Sequence, residues 1–228
     1  MDKKIVISFE TTGSHEVDPQ KGFTPLCPNE LPVPDGHLIA DELNRQALCG
    51  KFRTVSKDAH PQNAIWLATE TSPQFTPLTI EGEPNVNMVW NAHCMVGTEG
   101  CDLIPGLPPL TTYDLVIYKG VEPNLHPYSG CYHDLEKRVT TGLIESYFSA
   151  DIDTIIVGGL ALDFCLLETV RDMVDSECFN TIIVNLGATK AVGDPQPTID
   201  ILNDMGVILI NSVDDLHVIH EIDEPEII

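Results

Sequence analysis

The chain has 228 residues, 43% apolar and 21% charged, the balance of a globular protein with a sizeable core rather than of a disordered or fibrous chain. A net charge of −23 argues against nucleic acid or an anionic membrane surface as partner, and no apolar run approaches membrane-spanning length. Seven cysteines at irregular spacing, with no Cys-x-x-Cys pair, argue against a disulfide framework or a zinc knuckle and are read as cytoplasmic usage.

In chain order, Ile5 to Phe9 is predicted as the first strand rather than a signal peptide, and Gly13-Ser14-His15 as the break after it. Pro25, Pro28, Pro32 and Pro34 then make an irregular connection. Leu38, Ile39, Leu43 and Ala47 share one face of a helix predicted over 38–48. Arg53 to Ser56 is a second strand leading into Lys57-Asp58-Ala59-His60-Pro61. Residues 62–112 are proline-rich and aperiodic, as expected of a functional loop or lid. Leu115 to Tyr118 is the third strand, and Leu135, Val139, Leu143 and Tyr147, spaced by four, predict the next helix. Ile155 to Val157 is the fourth strand, ended by a turn at Gly158-Gly159, and Ile182 to Val184 is the fifth. A helix entered near Pro197, with Ile199, Leu202 and Met205 inward, precedes a sixth strand at Val207 to Ile210. The acidic tail from Glu221 is expected to be mobile. With no repeat or linker, residues 1–228 are read as a single domain.

Strands alternating with helices predict a three-layer αβα architecture around a central, mostly parallel six-stranded sheet. Ligands of such sheets bind beyond the carboxyl ends of the strands. There the chain places Asp18 after strand one, Asp58 and His60 after strand two, Lys119 after strand three and Cys165 after strand four. Asp163 is read as a helix N-cap, which sets Cys165 in a first turn where free N–H groups favour a thiolate nucleophile. Asp18 is a candidate base for that thiol, and Lys119 could stabilise the thiolate and a developing oxyanion. Asp58-x-His60 has the spacing of metal ligands, and His93 could supply a third. Such donors suit zinc, with iron and manganese as alternatives. Phe23 and Trp90 could sandwich a planar ring. His15, His37, His126, His133, His217 and His220 are left unassigned.

Val17-Asp-Pro-Gln-Lys-Gly-Phe-Thr-Pro25, Lys57-Asp-Ala-His-Pro61, His93-Cys-Met-Val-Gly-Thr-Glu-Gly100, Tyr118-Lys-Gly120 and Gly158-Gly-Leu-Ala-Leu-Asp-Phe-Cys165 occur in this order at the strand ends. In these segments the sequence resembles the nicotinamidases of the isochorismatase-like cysteine hydrolases, from about Val17 to Ile210. The resemblance implies the isochorismatase-like hydrolase fold and conversion of nicotinamide to nicotinic acid and ammonia through a Cys165 thioester, in pyridine nucleotide salvage. It implies a triad of Asp18, Lys119 and Cys165, and a divalent metal, zinc by preference, on Asp58, His60 and His93. It also implies a cis peptide at Leu160–Ala161, an oxyanion hole from the Ala161 and Cys165 N–H groups, and substrate contacts from Phe23, Trp90 and Leu160. A homo-oligomer is expected because the family commonly forms one. Another small-amide or carbamoyl hydrolase, or a silent ligand-binding member, are the alternatives. Two departures stand out: Glu10 to His15 reads as an insertion before the aspartate motif, and Ala64 occupies the place where many relatives carry a second histidine after the Asp-x-His-Pro turn.

Overall fold

The computed structural model describes residues 4–220; the acidic tail from Glu221 lies outside them. Six strands form one all-parallel sheet: Thr12–Val17 (β2), Phe52–Asp58 (β3), Leu115–Lys119 (β4), Thr154–Leu160 (β5), Thr181–Lys190 (β6) and Ile208–Ile210 (β7). Their order is β4-β3-β2-β5-β6-β7. The sequence direction reverses between β2 and β5, so the crevice that parallel sheets use for ligands opens at the carboxyl ends of those two strands.

The sheet is covered on both faces, and β5 shows why its sequence is a continuous apolar run. Ile155 and Val157 enter one core with Leu143, Val170, Met173 and Leu202 from Leu143–Ser149 (α2), Leu167–Asp175 (α3) and Gln196–Asp204 (α4). Ile156, pointing the other way, packs with Cys49, Ile183 and Ile210 beneath Ile7 and Leu216. Leu43 of Ala40–Ala47 (α1) joins Phe23 and Leu160 in a further cluster. Gln46 of α1, fully buried, donates to Ser14 Oγ at 3.0 Å and to the Ile156 carbonyl at 3.1 Å, so the helix is tied to β2 and β5 by polar contacts as well.

The first predicted strand is not part of this sheet. Ile5–Ser8 (β1) pairs with Leu216–Ile219 (β8) in a separate parallel ribbon, and the expected insertion at Glu10 to His15 is corrected: most of it is β2 itself. Polar side chains had hidden that strand, but each is buried with a partner. His15 Nδ1 lies 2.8 Å from Thr54 Oγ1, and Glu16 Oε1 accepts from Arg53 Nε at 2.7 Å while its Oε2 accepts from Tyr113 at 2.6 Å. Asp18 therefore follows its strand directly.

Two other expectations are revised. The spacing-four helix from Leu135 is realised only as α2, because Asp134 instead closes a turn by accepting from the Arg138 and Val139 N–H groups. Gly158 and Gly159 do not end β5; the strand runs on to Leu160 with a shift of register beside Gly159. Gly159 has φ 122, and a Cβ there would lie 2.0 Å from the Val17 carbonyl oxygen, so only glycine lets β5 approach β2 this closely. The aperiodic residues 62–112, expected as a functional loop or lid, line the cavity and carry their own small core: Trp66, Val86 and Trp90 are buried together, with Phe164 packed against them.

Candidate active site

The residues singled out at the strand ends meet at the switch between β2 and β5. Asp18 leaves β2 in the left-handed region, φ 41, which aspartate tolerates better than most residues. Its N–H donates to the Ser56 carbonyl at 3.1 Å, and Ser56 Oγ donates to its Oδ1 at 2.7 Å. Lys119, the last residue of β4, is fully buried rather than solvated. Its ammonium lies 2.9 Å from Asp18 Oδ2, 2.5 Å from Asp58 Oδ1 and 3.6 Å from Cys165 Sγ, and it also donates to the Pro127 carbonyl at 3.3 Å. One oxygen of Asp18, one of Asp58 and the thiol sulfur all fall within 4.8 Å of one another. The lysine nitrogen already supplies the cation of that cluster.

Electrostatics follow from burial and this one shared charge. Burial alone would raise the Asp58 carboxyl, but Lys119, His60 and His93 outweigh it and hold it well below the usual range. Asp18 goes the other way: burial and the Asp58 charge raise it, more than Lys119 and the Ser56 hydroxyl lower it. Burial pushes the Cys165 thiol well up, with Lys119 opposing and both carboxylates adding to the rise. Burial would lower the Lys119 ammonium, yet the two carboxylates hold it charged. The π-turn Leu162–Leu166 that holds Cys165 runs straight into α3, so the thiol does lie in a first helical turn, but burial acts on it upward, against the helix terminus. Asp163 is no N-cap. It accepts from the Val192 and Gly193 N–H groups at 3.0 and 2.9 Å and pins the segment after β6 beside the cavity.

The Leu160–Ala161 peptide is cis, as the resemblance implied. Ala161 and Cys165 line a cavity of about 420 Å³, together with Phe23, Trp90 and His93. Leu160 is fully buried behind that wall with Phe23 and does not line the cavity. Phe75, Tyr128 and Phe164 do line it and had no signal in the sequence, since aromatic residues in aperiodic segments are ordinarily core.

Beside Asp18, Lys119 and Cys165 stands a cluster of imidazoles. His60 Nδ1 is 3.0 Å from the Gly120 carbonyl and His93 Nδ1 is 2.6 Å from the Asn91 carbonyl, so each Nδ1–H has an acceptor. The Nε2 atoms face Asp58 Oδ2 at 3.4 and 3.9 Å. Burial lowers His93 to about 3, and His60 Nε2 has no hydrogen-bond partner among the described residues. Buried imidazoles whose Nδ1 atoms are fixed by carbonyls, next to an ionised carboxylate, fit a divalent cation. The same cluster contains His126, left unassigned above. Gly120 is required here: with φ +64, a Cβ would sit 2.3 Å from His60 Cε1. Gln20 holds the neighbouring backbone, accepting from the Asp58 N–H at 2.7 Å and donating to its carbonyl at 2.8 Å. The Glu30 carboxylate accepts from the Cys94 N–H at 2.8 Å, packed where a Cβ on Gly22 or Gly100 would collide with it. Those contacts account for Gly100 of the motif after His93 and Gly22 of the motif after Asp18, whereas Gly97 is accounted for by its φ of +84.

No family model matches the chain. Individual relatives do. It is 31% identical over 176 residues to a nicotinamidase of Acinetobacter baylyi, covering 77% of this chain and 79% of the relative. A solved nicotinamidase–pyrazinamidase of Acinetobacter baumanii superposes with a TM-score of 0.79 at 29% identity, covering 90% of this chain and 98% of its own. An L. infantum protein, solved in complex with nicotinate, gives a TM-score of 0.74 at 26% identity and covers 95% of this chain and 100% of its own. With 31% of residues identical to such a relative over more than three quarters of both chains, the protein belongs to the nicotinamidase family.

Proposed function

We propose that the protein is an amide hydrolase that converts nicotinamide to nicotinic acid and ammonia through a thioester on Cys165. The observation that carries this reading is the meeting of Asp18 and Lys119 with Cys165 beside an aromatic cavity that Cys165, Asp58 and His93 line, with His60 packed against His93. The nicotinamidase relatives and the nicotinate-bound neighbour support the substrate.

The chemistry follows from the resting charges. The Cys165 thiol is neutral and Asp18, lifted by burial, is basic enough to take its proton as sulfur attacks the amide carbon. The S–C bond forms and the carbonyl becomes an oxyanion, to which the Ala161 and Cys165 N–H groups donate; one such donor is worth about 3–4 kcal/mol of barrier. Lys119 offsets the negative charge that passes between sulfur and carboxylate, and its own bonds to Asp18 and Asp58 keep it there. Asp18 then protonates the amide nitrogen, the C–N bond breaks and ammonia leaves. Water attacks the thioester with its proton passing to Asp18, the C–S bond breaks, and the thiol is restored. A divalent cation on Asp58, His60 and His93, zinc by the nitrogen and oxygen donor set, supplies a Lewis acid for the pyridine nitrogen. Phe23 and Trp90 would hold the ring by stacking.

A single domain, a homo-oligomeric assembly, a cytoplasmic setting and a place in pyridine nucleotide salvage go with this reading; among the described residues no helix is long and apolar enough to cross a membrane. Ammonia release from nicotinamide by metal-loaded protein, run beside Cys165→Ala, tests it. Release that vanishes in the variant is expected. No release from the intact, metal-bound protein would sink it.

A further inference from the structure

His126 is the one histidine of the cluster to which the argument so far gives no work. It comes from the segment after β4, where its N–H donates to the Asn85 carbonyl at 3.0 Å. The ring lies nearly parallel to two others: its centroid is 5.1 Å from that of His60 with 11° between planes, and 5.6 Å from that of Trp90 with 5°. The Trp66 ring meets it edge-on at 4.5 Å. Only 4% of the residue is exposed. Neither of its ring nitrogens has a hydrogen-bond partner among the described residues.

That arrangement has a cost. A neutral imidazole always presents one N–H donor and one lone pair, and leaving such a buried group unpaired is unfavourable. His60 and His93 each satisfy Nδ1 with a carbonyl, whereas His60 Nε2, like both nitrogens of His126, has no partner among the described residues. For His126 the nearest complementary object is the space between the three rings. One nitrogen of each lies within 4.8 Å of those of the other two, which a cation with bonds of about 2.0–2.1 Å can draw together by small ring movements. Stacking alone would explain an aromatic residue here, but a phenylalanine would stack without two unpaired polar atoms.

We propose that His126 is a third imidazole ligand of the divalent cation, beside His60 and His93, with the Asp58 carboxylate completing the protein's donors. This rests on the metal-binding part of the reading above. Because the Trp90 ring lies nearly parallel to that of His126, the same side chain would couple the cation to the aromatic wall of the cavity.

The test begins with the unmutated full chain loaded with zinc. X-ray absorption fine structure counts imidazoles through their multiple-scattering pattern, and three are expected; two, or no bound zinc, would overturn the proposal. His126→Gln provides the second arm. Chelator competition should show zinc held at least tenfold more weakly, and the visible spectrum of the cobalt-loaded protein should change, while melting of the metal-free form stays close to the parent. Unchanged zinc affinity with an unchanged cobalt spectrum would refute the assignment. If that variant does not fold, the absorption count on the parent decides alone. Nicotinamide hydrolysis with two imidazoles bound would defeat only this inference, whereas three imidazoles with no hydrolysis would defeat the proposed function and leave this one standing.

Discussion

Replacing Ser56 by alanine isolates the proposed role of Asp18. The hydroxyl donates to Asp18 Oδ1 at 2.7 Å, and both residues are fully buried, so no solvent competes for that bond. The Asp18 N–H loses a longer bond to Ser56 Oγ at 3.3 Å but keeps the one to the Ser56 carbonyl at 3.1 Å, which holds the left-handed turn that presents the carboxylate. A hydrogen bond to a charged group contributes about 1.5–3 kcal/mol, roughly ten- to a hundredfold in equilibrium terms. The donor favours the ionised carboxylate and opposes the burial that raises it; removing it therefore pushes Asp18 further up. The acid limb of kcat/KM for ammonia release, which reads the free enzyme, should move to higher pH. On that limb the variant should be slower by about tenfold or more, and on the neutral plateau it should approach the parent. Both proteins are assayed metal-saturated across a pH series, with circular dichroism confirming the fold. A limb that stays in place, with activity either unchanged or lowered equally at every pH, would refute Asp18 as the base.

Gly120→Ala forces an L-residue into φ +64 with its Cβ 2.3 Å from the His60 ring. Left-handed backbone alone costs about 1–2 kcal/mol, so melting should fall by several degrees, and displaced His60 should weaken metal binding at least tenfold by chelator competition. Normal metal affinity would contradict the placement of His60. Phe75→Ala removes a ring 5.2 Å from Trp90 at the cavity. An aromatic pair is worth about 0.5–1.5 kcal/mol, so KM for nicotinamide should rise about two- to tenfold with kcat nearly constant; a change in kcat alone would exclude a substrate-holding role. His15, lowered by burial from 6.5 to about 3, cannot take in the folded state the proton that the unfolded chain binds. The unfolded chain thus binds more protons across that interval, so this stability is complete above 6.5 and is lost as pH falls toward 3. Glu16, raised by burial to about 7, acts in the opposite direction, so the parent must be compared with His15→Gln. The stability difference between them in urea should be about 2 kcal/mol greater at pH 6.5 than at pH 5, and a constant difference would show that His15 does not titrate as described.

The apolar strands β4 to β7 were readable because parallel strands buried on both faces are continuous β-branched runs. The strand that presents Asp18 was not. Ser14, His15 and Glu16 look like a loop until Gln46, Thr54, Arg53 and Tyr113 are placed around them, and those partners lie 30 or more residues away in each case. Asp58-x-His60 could be noticed by spacing, because both ligands sit on one short segment. His126 could not: it is brought to His60 by a loop 66 residues on, and its meaning lies in two nitrogens without partners among the described residues, which no sequence displays. Asp163 illustrates the opposite error, a residue with good N-cap chemistry whose oxygens face Val192 and Gly193 instead. The upward push on the thiol was hidden for a related reason. A helix terminus is visible in a sequence, whereas full burial between two carboxylates is not.

The aldehyde analogue of nicotinamide, labelled with carbon-13 at the carbonyl, tests the central claim in one spectrum. An attacking sulfur would convert that carbon to a tetrahedral hemithioacetal, a stable mimic of the state the site is built to hold. The account predicts that the resonance moves from the aldehyde to the tetrahedral region in the metal-loaded protein and stays at the aldehyde position with Cys165→Ala. An adduct that persists in the variant, or none in the folded, metal-bound parent, would contradict Cys165 as the nucleophile.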